Sequence, residues 1–488
     1  MNPLLLPKVK HRHGLGPDVE ALATEQLQLG EGWILVGSGI DSQSREVQRQ
    51  GVKVTETEKV AYIELEVSVE AGNHLVDTAK CPTCGSEMRR NGLRASRNWM
   101  HLPIFGKRTE IRAQLIRLRC LGKDCGKSAT LQAPWESPSK HFTIAQEEAL
   151  IRAIHGGGYS YASRIFGIAN SSLLKMLTQR IDKLVELADW SAVTAIGVDD
   201  YAIDEGQEYV SIFSDIKNRR VLFIARGRTH ETFKAFLVAC AKHGLKLEMI
   251  KFISMDMGKG YIKGANENFP KAVKIFDKFH VIKLAGDKVD QIRRAEYKAS
   301  DFKIQTLLSG NRFIYLKNPE NLTDKEKERF QRIDMSTFWT GRAYQIRCAL
   351  QDIYQMPDKG LAGYRFKCLI KWIRRLCKKA PHYFASAMTT FANTLETHRD
   401  GILAYWDGDL TNAFHEGLHS VFSGVKRKSR GLSFDGMRTQ LYLHFGKLDF
   451  GFNLKAKIHS QPLPVWIPKL INSRKSKATP QPQAKEAV

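Results

Sequence analysis

Apolar positions along this chain follow two periods, and the places where the period changes divide it. Between residues 189 and 284 short apolar runs of strand type dominate. Thr194-Ala195-Ile196-Gly197-Val198-Asp199 is one such run, and Ile250-Lys251-Phe252-Ile253-Ser254-Met255-Asp256 is another; both end on a carboxylate. Two further strand patterns lie between them, Tyr209 to Asp215 and Arg220 to Ala225, followed by a helical stretch from Glu231 to His243. A later strand around Ile275-Phe276 ends at Asp277 and gives way to helix through Arg294. Helical periodicity also covers Thr143 to Leu184 and most of Lys283 to Asp409. Nearer the N-terminus, Asn98 to Ile104 and Thr109 to Arg119 read as the two strands of a hairpin. Periodicity fades after Gln461, where Pro462, Pro464 and Pro468 precede Arg474-Lys475-Ser476-Lys477, the pattern of a mobile tail.

Three strands, a helix, a strand and then more helix is the order of a ribonuclease-H-like domain. In that arrangement strand ends bring two carboxylates together, and a downstream helix supplies a third. The chain offers Asp199, Asp256 and Glu416 for these positions. Carboxylates on three separate elements suit Mg²⁺ or Mn²⁺, because hard cations take oxygen ligands and an open metal face admits phosphates. Asp277 is a rival for the second carboxylate, but strand order favours Asp256. Asp277, His280 and Lys283 are then expected to support the cluster or face phosphate. Asp200 follows Asp199 directly, and strand alternation sends the two side chains to opposite faces.

Composition sharpens the picture. The 488 residues carry 75 Lys and Arg against 51 Asp and Glu, a formal net charge of +24. Such a chain fits a polyanionic partner, and double-stranded DNA is the expected one, since each neutralised phosphate releases counterions. No run approaches the roughly 20 apolar residues that span a bilayer, and the apolar part of Met1 to Pro7 is too short for a secretion signal. A cytoplasmic, nucleoid-associated protein without a membrane partner is expected.

Four of the eight cysteines are scattered in apolar helical contexts: Cys240, Cys348, Cys368 and Cys377. The others form two short-spaced pairs, Cys81 with Cys84 and Cys120 with Cys125, each followed by glycine. Paired thiolates in glycine turns suit a closed, structural, tetrahedral Zn²⁺ site, with His74 and His101 as bystanders. Downstream, Ser160 to Leu177 has the outline of a helix-turn-helix. Ala162 is the small residue of its first helix, Gly167 takes the turn, Ile168 enters the core and Ser171 caps the second helix. Ser172, Lys175, Gln179 and Arg180 would then face a major groove. On a later helix, Leu369, Trp372, Ile373 and Leu376 mark an apolar face, opposite Lys367, Lys371, Arg374, Arg375 and Lys378, a candidate DNA-backbone track. Trp339 and Tyr344 are expected in packing rather than on a DNA base.

Several of these pieces together resemble a known family. Asp256-Met257 with Tyr261, Phe269-Pro270-Lys271-Ala272, and Asp277-Lys278-Phe279-His280-Val281-Ile282-Lys283 followed by Arg293-Arg294 are similar to the DDE transposases of the ISL-three family of bacterial insertion sequences. So is the late helix Thr411-Asn412-Ala413-Phe414-His415-Glu416-Gly417. The family often has Asn-Gly-Arg-Val before the glutamate, where this chain has Asn412-Ala413-Phe414-His415. The resemblance places Asp199, rather than Asp200, with Asp256 and Glu416 as catalytic metal ligands. It implies strand cleavage and strand transfer at terminal inverted repeats, target DNA as a second substrate, and a homodimer or larger assembly on paired ends. Lys426, Arg427, Lys428 and Arg430, just after the glutamate, join the expected DNA contacts.

The predicted class is therefore multidomain α/β. Its expected parts are an N-terminal α/β segment (1–75), a zinc-binding module (76–138), a helix-turn-helix (139–188) and the first part of a ribonuclease-H-like core (189–284). A mostly helical insertion (285–408), the glutamate helix with the end of the core (409–455) and a basic tail (456–488) follow. A sequence-specific DNA-binding regulator on the same core, or a structure-specific nuclease or resolvase, are the alternative functions.

Overall fold

The computed structural model describes residues 33–49, 52–67, 76–77, 79–104, 106–202, 209–309, 314–317, 319–331, 338–408, 417–418, 423–424 and 433–454. Glu416, the run from Lys426 to Arg430, His74, the residues before Trp33 and the C-terminal tail lie outside the described residues. The chain divides into two compact units, Met1–Ala153 with Phe452–Val488, and Ile154–Gly451.

Among its described residues the first unit has strands β1 (Trp33–Arg49), β2 (Val52–Val67), β3 (Met88–Leu93), β4 (Arg97–Ile104), β5 (Lys107–Ala113), β6 (Ile116–Cys120) and β7 (Ser128–Thr130). They form two sheets, ordered β1-β2-β5-β4 and β3-β6-β7. The predicted hairpin exists as β4 and β5, with Trp99 opposite Ile111. Its second arm, however, is not one strand. Thr109 to Arg119 breaks after Ala113, and β6 leaves for the other sheet to pair with β3 and β7. The reason lies in the burial pattern: Ala113, Leu115 and Ile116 are all buried while Gln114 is exposed, which a continuous alternating strand cannot achieve.

Three tryptophans centre the first sheet. Trp135 meets Trp33 and Trp99 edge-on, at ring-centroid distances of 4.6 and 5.7 Å. The buried Glu136 carboxylate accepts from the Trp99 indole at 3.2 Å and from Arg97 at 2.6 Å, so its charge is paired. His101 is buried with Nδ1 2.9 Å from the Thr143 hydroxyl, and burial drives its pKa down to about 4. It is a neutral core histidine.

Beside β3, β6 and β7, the four clustered cysteines converge. Gly85 (φ 72°) and Gly126 (φ 52°) turn the chain just after each pair through a region that side chains disfavour. The Gly85 amide donates to the Cys81 carbonyl at 2.9 Å. Sγ of Cys81 lies 3.8 Å from Sγ of Cys125, and that of Cys84 lies 3.4 Å from that of Cys120. All four sulfurs fall within 4.8 Å of one another. Zinc–sulfur bonds of about 2.3 Å set tetrahedral sulfurs about 3.8 Å apart, so the donor set fits Zn²⁺. The Ser86 hydroxyl and backbone, with Cys120, lower the Cys84 thiol to about 6, while burial and the neighbouring cysteines push Cys120 up to about 12, as expected of thiols that share protons across a crowded cluster.

The second unit starts within α1 (Ile144–Gly157) and continues with α2 (Tyr159–Phe166) and α3 (Asn170–Glu186). Its sheet comprises β8 (Ala195–Ala202), β9 (Tyr209–Asp215), β10 (Arg220–Arg226), β11 (Phe252–Met255) and β12 (Val273–Phe276), in the order β10-β9-β8-β11-β12. β9 is antiparallel to β8 and β10, and β11 is parallel to β8 and β12. The carboxyl ends of β8, β10, β11 and β12 therefore share one edge. α4 (His230–Lys242) and α5 (Lys259–Asn268) cover the sheet. Phe213 stacks on Phe236 at 4.2 Å, and a Cβ on Gly264 would lie only 2.5 Å from the Phe233 ring, so glycine lets α5 approach.

A helical layer follows: α6 (Lys278–Ala299), α7 (Phe302–Leu308), α8 (Asp324–Gln331), α9 (Trp339–Ile353), α10 (Lys359–Cys377), α11 (His382–Thr397) and α12 (Arg399–Leu403). Buried Glu296 of α6 accepts from the Trp339 and Thr340 amides, each at 2.7 Å, so a carboxylate meets the positive end of α9. Tyr344 is buried and Trp339 packs 4.9 Å from Phe384, as expected of packing residues. The last described helix is α13 (Phe434–Phe445). Among the described residues, no helix is long and apolar enough to cross a membrane.

The cysteine geometry predicts about one zinc per chain by elemental analysis. Cys84→Ser or Cys125→Ser should lose the metal and loosen the β3-β6-β7 sheet, read as a lower melting temperature. A native protein free of zinc would overturn the assignment.

Candidate active site

Asp199, Asp256 and Asp277 stand at one edge because their strands run the same way. Asp199 lies on β8, while Asp256 and Asp277 directly follow β11 and β12. β11 pairs with β8 through Ile253 and Ile196, and with β12 through Met255 and Phe276. Each carboxylate is oriented by the backbone just beyond it. Asp199 Oδ1 accepts from the Asp200 amide at 2.8 Å, Asp256 Oδ1 from the Met257 amide at 2.6 Å, and Asp277 Oδ1 from the Phe279 amide at 2.8 Å. Asp277 is thereby the N-cap of α6.

One imidazole stands among the three. His280 Nε2 is 3.4 Å from Asp199 Oδ1 and 4.0 Å from Asp277 Oδ2, and Nδ1 is 3.5 Å from Asp256 Oδ2. Burial opposes charge on His280, but the nearby carboxylates of Asp199, Asp256 and Asp277 outweigh it, raising the pKa to about 9. Crowded carboxylates repel, and an imidazolium between them relieves that repulsion. The oxygens remain spread around the ring. Among the described residues, the four cysteines are the one group of such side chains whose ligand atoms all lie within 4.8 Å.

Alternation turns Asp200 away from Asp199, as expected. It nevertheless feels the cluster: burial first, then the charges of Asp199 and Asp256, raise its pKa. Its carboxylate is 3.9 Å from an Arg228 nitrogen. Tyr201, two residues after Asp199 and so on its face, is buried, and burial together with Asp199 pushes its pKa up. Neither Tyr201 nor Arg228 was picked out by sequence. For Tyr201 the two-residue spacing from Asp199 was the available signal; for Arg228 there was none. Lys283 is exposed on α6.

The expected DNA-binding residues divide. Gly167 (φ 66°) turns the chain between α2 and α3, Ala162 and Ile168 are buried, and Ser172, Lys175 and Gln179 are exposed. Two details differ. α3 begins at Asn170 with Ala169 as N-cap, so Ser171 sits inside the first turn and caps nothing. Arg180 turns inward, donating to the Phe450 carbonyl at 3.0 Å. The buried face of α3 holds Leu173, Met176, Leu177 and Ile181, and Thr178 and Asp182 bond Thr439 and Arg438 of α13. On α10, Leu369 and Ile373 are buried while Lys371, Arg374, Arg375 and Lys378 are exposed. Arg374 is already paired with Glu396.

Comparison with known proteins fits this arrangement. Residues 196–441 match a family model described as a transposase, of the ISL3 DDE type. Residues 77–125 match the zinc-finger of the transposases of IS204, IS1001, IS1096 and IS1165. The transposase for insertion sequence element IS1001 of Bordetella parapertussis is 24% identical over 366 residues, covering 73% of this chain and 87% of that relative. The transposase for element IS1557 of Mycobacterium tuberculosis strain CDC 1551 / Oshkosh is 22% identical over 276 residues, 52% of this chain and 59% of its own length. With a zinc ribbon ahead of a sheet edge that gathers carboxylates, and both family models matched in that order, the chain belongs to the ISL3 family of DDE transposases.

Proposed function

We propose that this transposase binds the terminal inverted repeats of its element and cuts and joins DNA strands at Asp199, Asp256 and Glu416. The observation that carries the reading is the placement of Asp199 and Asp256 just beyond the parallel pairing of β8 with β11, both within 3.5 Å of one imidazole. The order β10-β9-β8-β11-β12, with only β9 reversed, supports a ribonuclease-H-like core. Glu416 rests on its sequence motif, which lies inside the matched span 196–441.

Oxygen donors at an open sheet edge suit Mg²⁺ or Mn²⁺, held by Asp199, Asp256 and Glu416. Bound there, such ions supply the charge that activates a water or 3′-hydroxyl and stabilises the departing oxygen. The chain does the positioning. The Asp200 and Met257 amides fix the two aspartates, and His280 holds their facing oxygens at a common distance. Asp277 anchors the start of the helix that presents His280, which makes it a supporting residue.

The α2–α3 pair serves as the helix-turn-helix in this reading, with Ser172, Lys175 and Gln179 towards the groove. Arg180 instead ties α3 to the end of the unit. Lys371, Arg375 and Lys378 of α10 meet the DNA backbone, and Lys426, Arg427, Lys428 and Arg430 extend that contact. Arg374 contributes less, being paired with Glu396. Pairing of two DNA ends calls for a homodimer or larger assembly, with target DNA entering the same site.

The reading is tested by incubating the protein with its element's end and Mg²⁺ and mapping the cuts. Asp199→Asn, Asp256→Asn and Glu416→Gln should each abolish cleavage and joining while leaving end binding intact. Asp277→Asn should be slowed but measurable. Cleavage by all three primary variants would remove the mechanism.

His280 gives a pH signature in metal-free protein. Its folded pKa of about 9 lies above the ordinary histidine value of 6.5, so its stabilisation is complete below 6.5 and is lost as pH rises through about 9. Denaturant unfolding should show stability falling over that window, and His280→Gln should flatten the fall. An unchanged slope in the variant would contradict the geometry.

DNA binding separates two roles. Lys175→Ala should cost preference for the end over random DNA, about 1–3 kcal/mol per lost base contact. Replacing Lys371, Arg375 and Lys378 with Ala should weaken binding to all sequences alike and reduce its salt dependence. Equal losses on both DNAs from Lys175→Ala would remove the groove-reading role of α3.

A further inference from the structure

We propose that Arg228 forms a phosphate-binding subsite beside the acidic cluster, gripping the DNA backbone near the cut, with Tyr209 and Asp200 holding its guanidinium in place. The proposal deepens the DNA-cutting reading of this edge and rests on it.

Arg228 comes off the same edge as the carboxylates. β10 runs parallel to β8, ends at Arg226, and α4 starts at His230, so Arg228 sits in the tight turn between them. That turn is fixed from two sides. Gly227 (φ 88°) donates its amide to the Tyr209 carbonyl at 2.7 Å, and its own carbonyl accepts from the Ser211 hydroxyl at 2.7 Å. Ser211 in turn is 2.8 Å from the buried Tyr261 hydroxyl. Across the turn, a Cβ on Gly260 would lie 3.3 Å from the Arg228 carbonyl, so α5 presses closely against it.

The side chain is ordered yet available. Its guanidinium carbon lies 3.8 Å from the centre of the Tyr209 ring. The nearest Asp200 oxygen is 3.9 Å away, which gives charge attraction without a hydrogen bond. The side chain is 56% exposed. A guanidinium seated over an aromatic ring and more than half exposed can bind a phosphate through two hydrogen bonds. The location explains the need. Asp199, Asp200, Asp256 and Asp277 repel an approaching phosphodiester, and the one imidazolium among them faces the carboxylates. A cation on the rim offsets that repulsion where the backbone must come closest.

The test uses the full-length protein, Mg²⁺ and duplexes of the element's end in which single phosphates near the cut are replaced, one at a time, by neutral methylphosphonate. Wild type should lose cleavage about tenfold or more at one position, the size of a lost hydrogen bond to a charged group. Arg228→Ala should show a similar loss on ordinary DNA, and no further loss at that position, while other sensitive positions stay sensitive. Arg228→Lys should recover part of the rate, and Tyr209→Phe should keep it, since the ring is retained. Two results would overturn the subsite alone: Arg228→Ala cutting at the wild-type rate, or losing further at every modified phosphate. Wild type failing to cut any end duplex would overturn the DNA-cutting reading and the subsite with it.

Discussion

Everything at the candidate site depends on crowding like charges at the end of a parallel strand pair. Carboxylates gathered around one imidazole repel one another. Here the repulsion is met locally: a backbone amide caps Oδ1 of each aspartate, and His280 faces that same oxygen of Asp199 and the free oxygens of Asp256 and Asp277. The sheet must also hold those strand ends still. It does so through Phe213, Phe233 and Phe236 on one face, and through glycine at 264, where any Cβ would strike Phe233. The apolar core supplies rigidity, and the edge uses it to keep charges at fixed separation.

The first unit solves a different problem. Its strands are split between two small sheets, and neither is large enough to bury much apolar surface alone. Tryptophans fill one, and the cysteine cluster closes the other. A structural metal is a natural supplement there, because its binding free energy becomes folding free energy. The donors suit that role: four thiolates make a closed set for a structural ion.

Much of this was legible in sequence because it is local. Apolar runs ending in Asp199 and Asp256, and paired cysteines followed by glycine, announce themselves within a few residues. What was not legible depends on distant partners. Arg180 reads as an outward helical arginine until Phe450, 270 residues on, takes its hydrogen bond. Thr109 to Arg119 reads as one strand because composition alone cannot show that its halves join different sheets. Arg228 carries no motif at all; its meaning comes from Tyr209 and Asp200, on strands of their own.

The helical layer is bound to the same edge rather than appended to it. Phe276, the residue before Asp277, accepts Gly401 so closely that a Cβ there would sit 2.4 Å from the ring, and His398 lies edge-on at 5.1 Å. Tyr354 is buried near Asp277, whose charge adds to burial in raising its pKa, and Lys278 lies over its ring at 5.4 Å. α12 thus packs directly onto the strand that ends at the carboxylates, and α10 shares its hydrophobic core. The basic face of α10 is therefore held at a set distance from the sheet edge by packing, not by a flexible connection. A backbone track needs that property if DNA bound along it is to present one phosphodiester, and not its neighbours, to the acidic cluster.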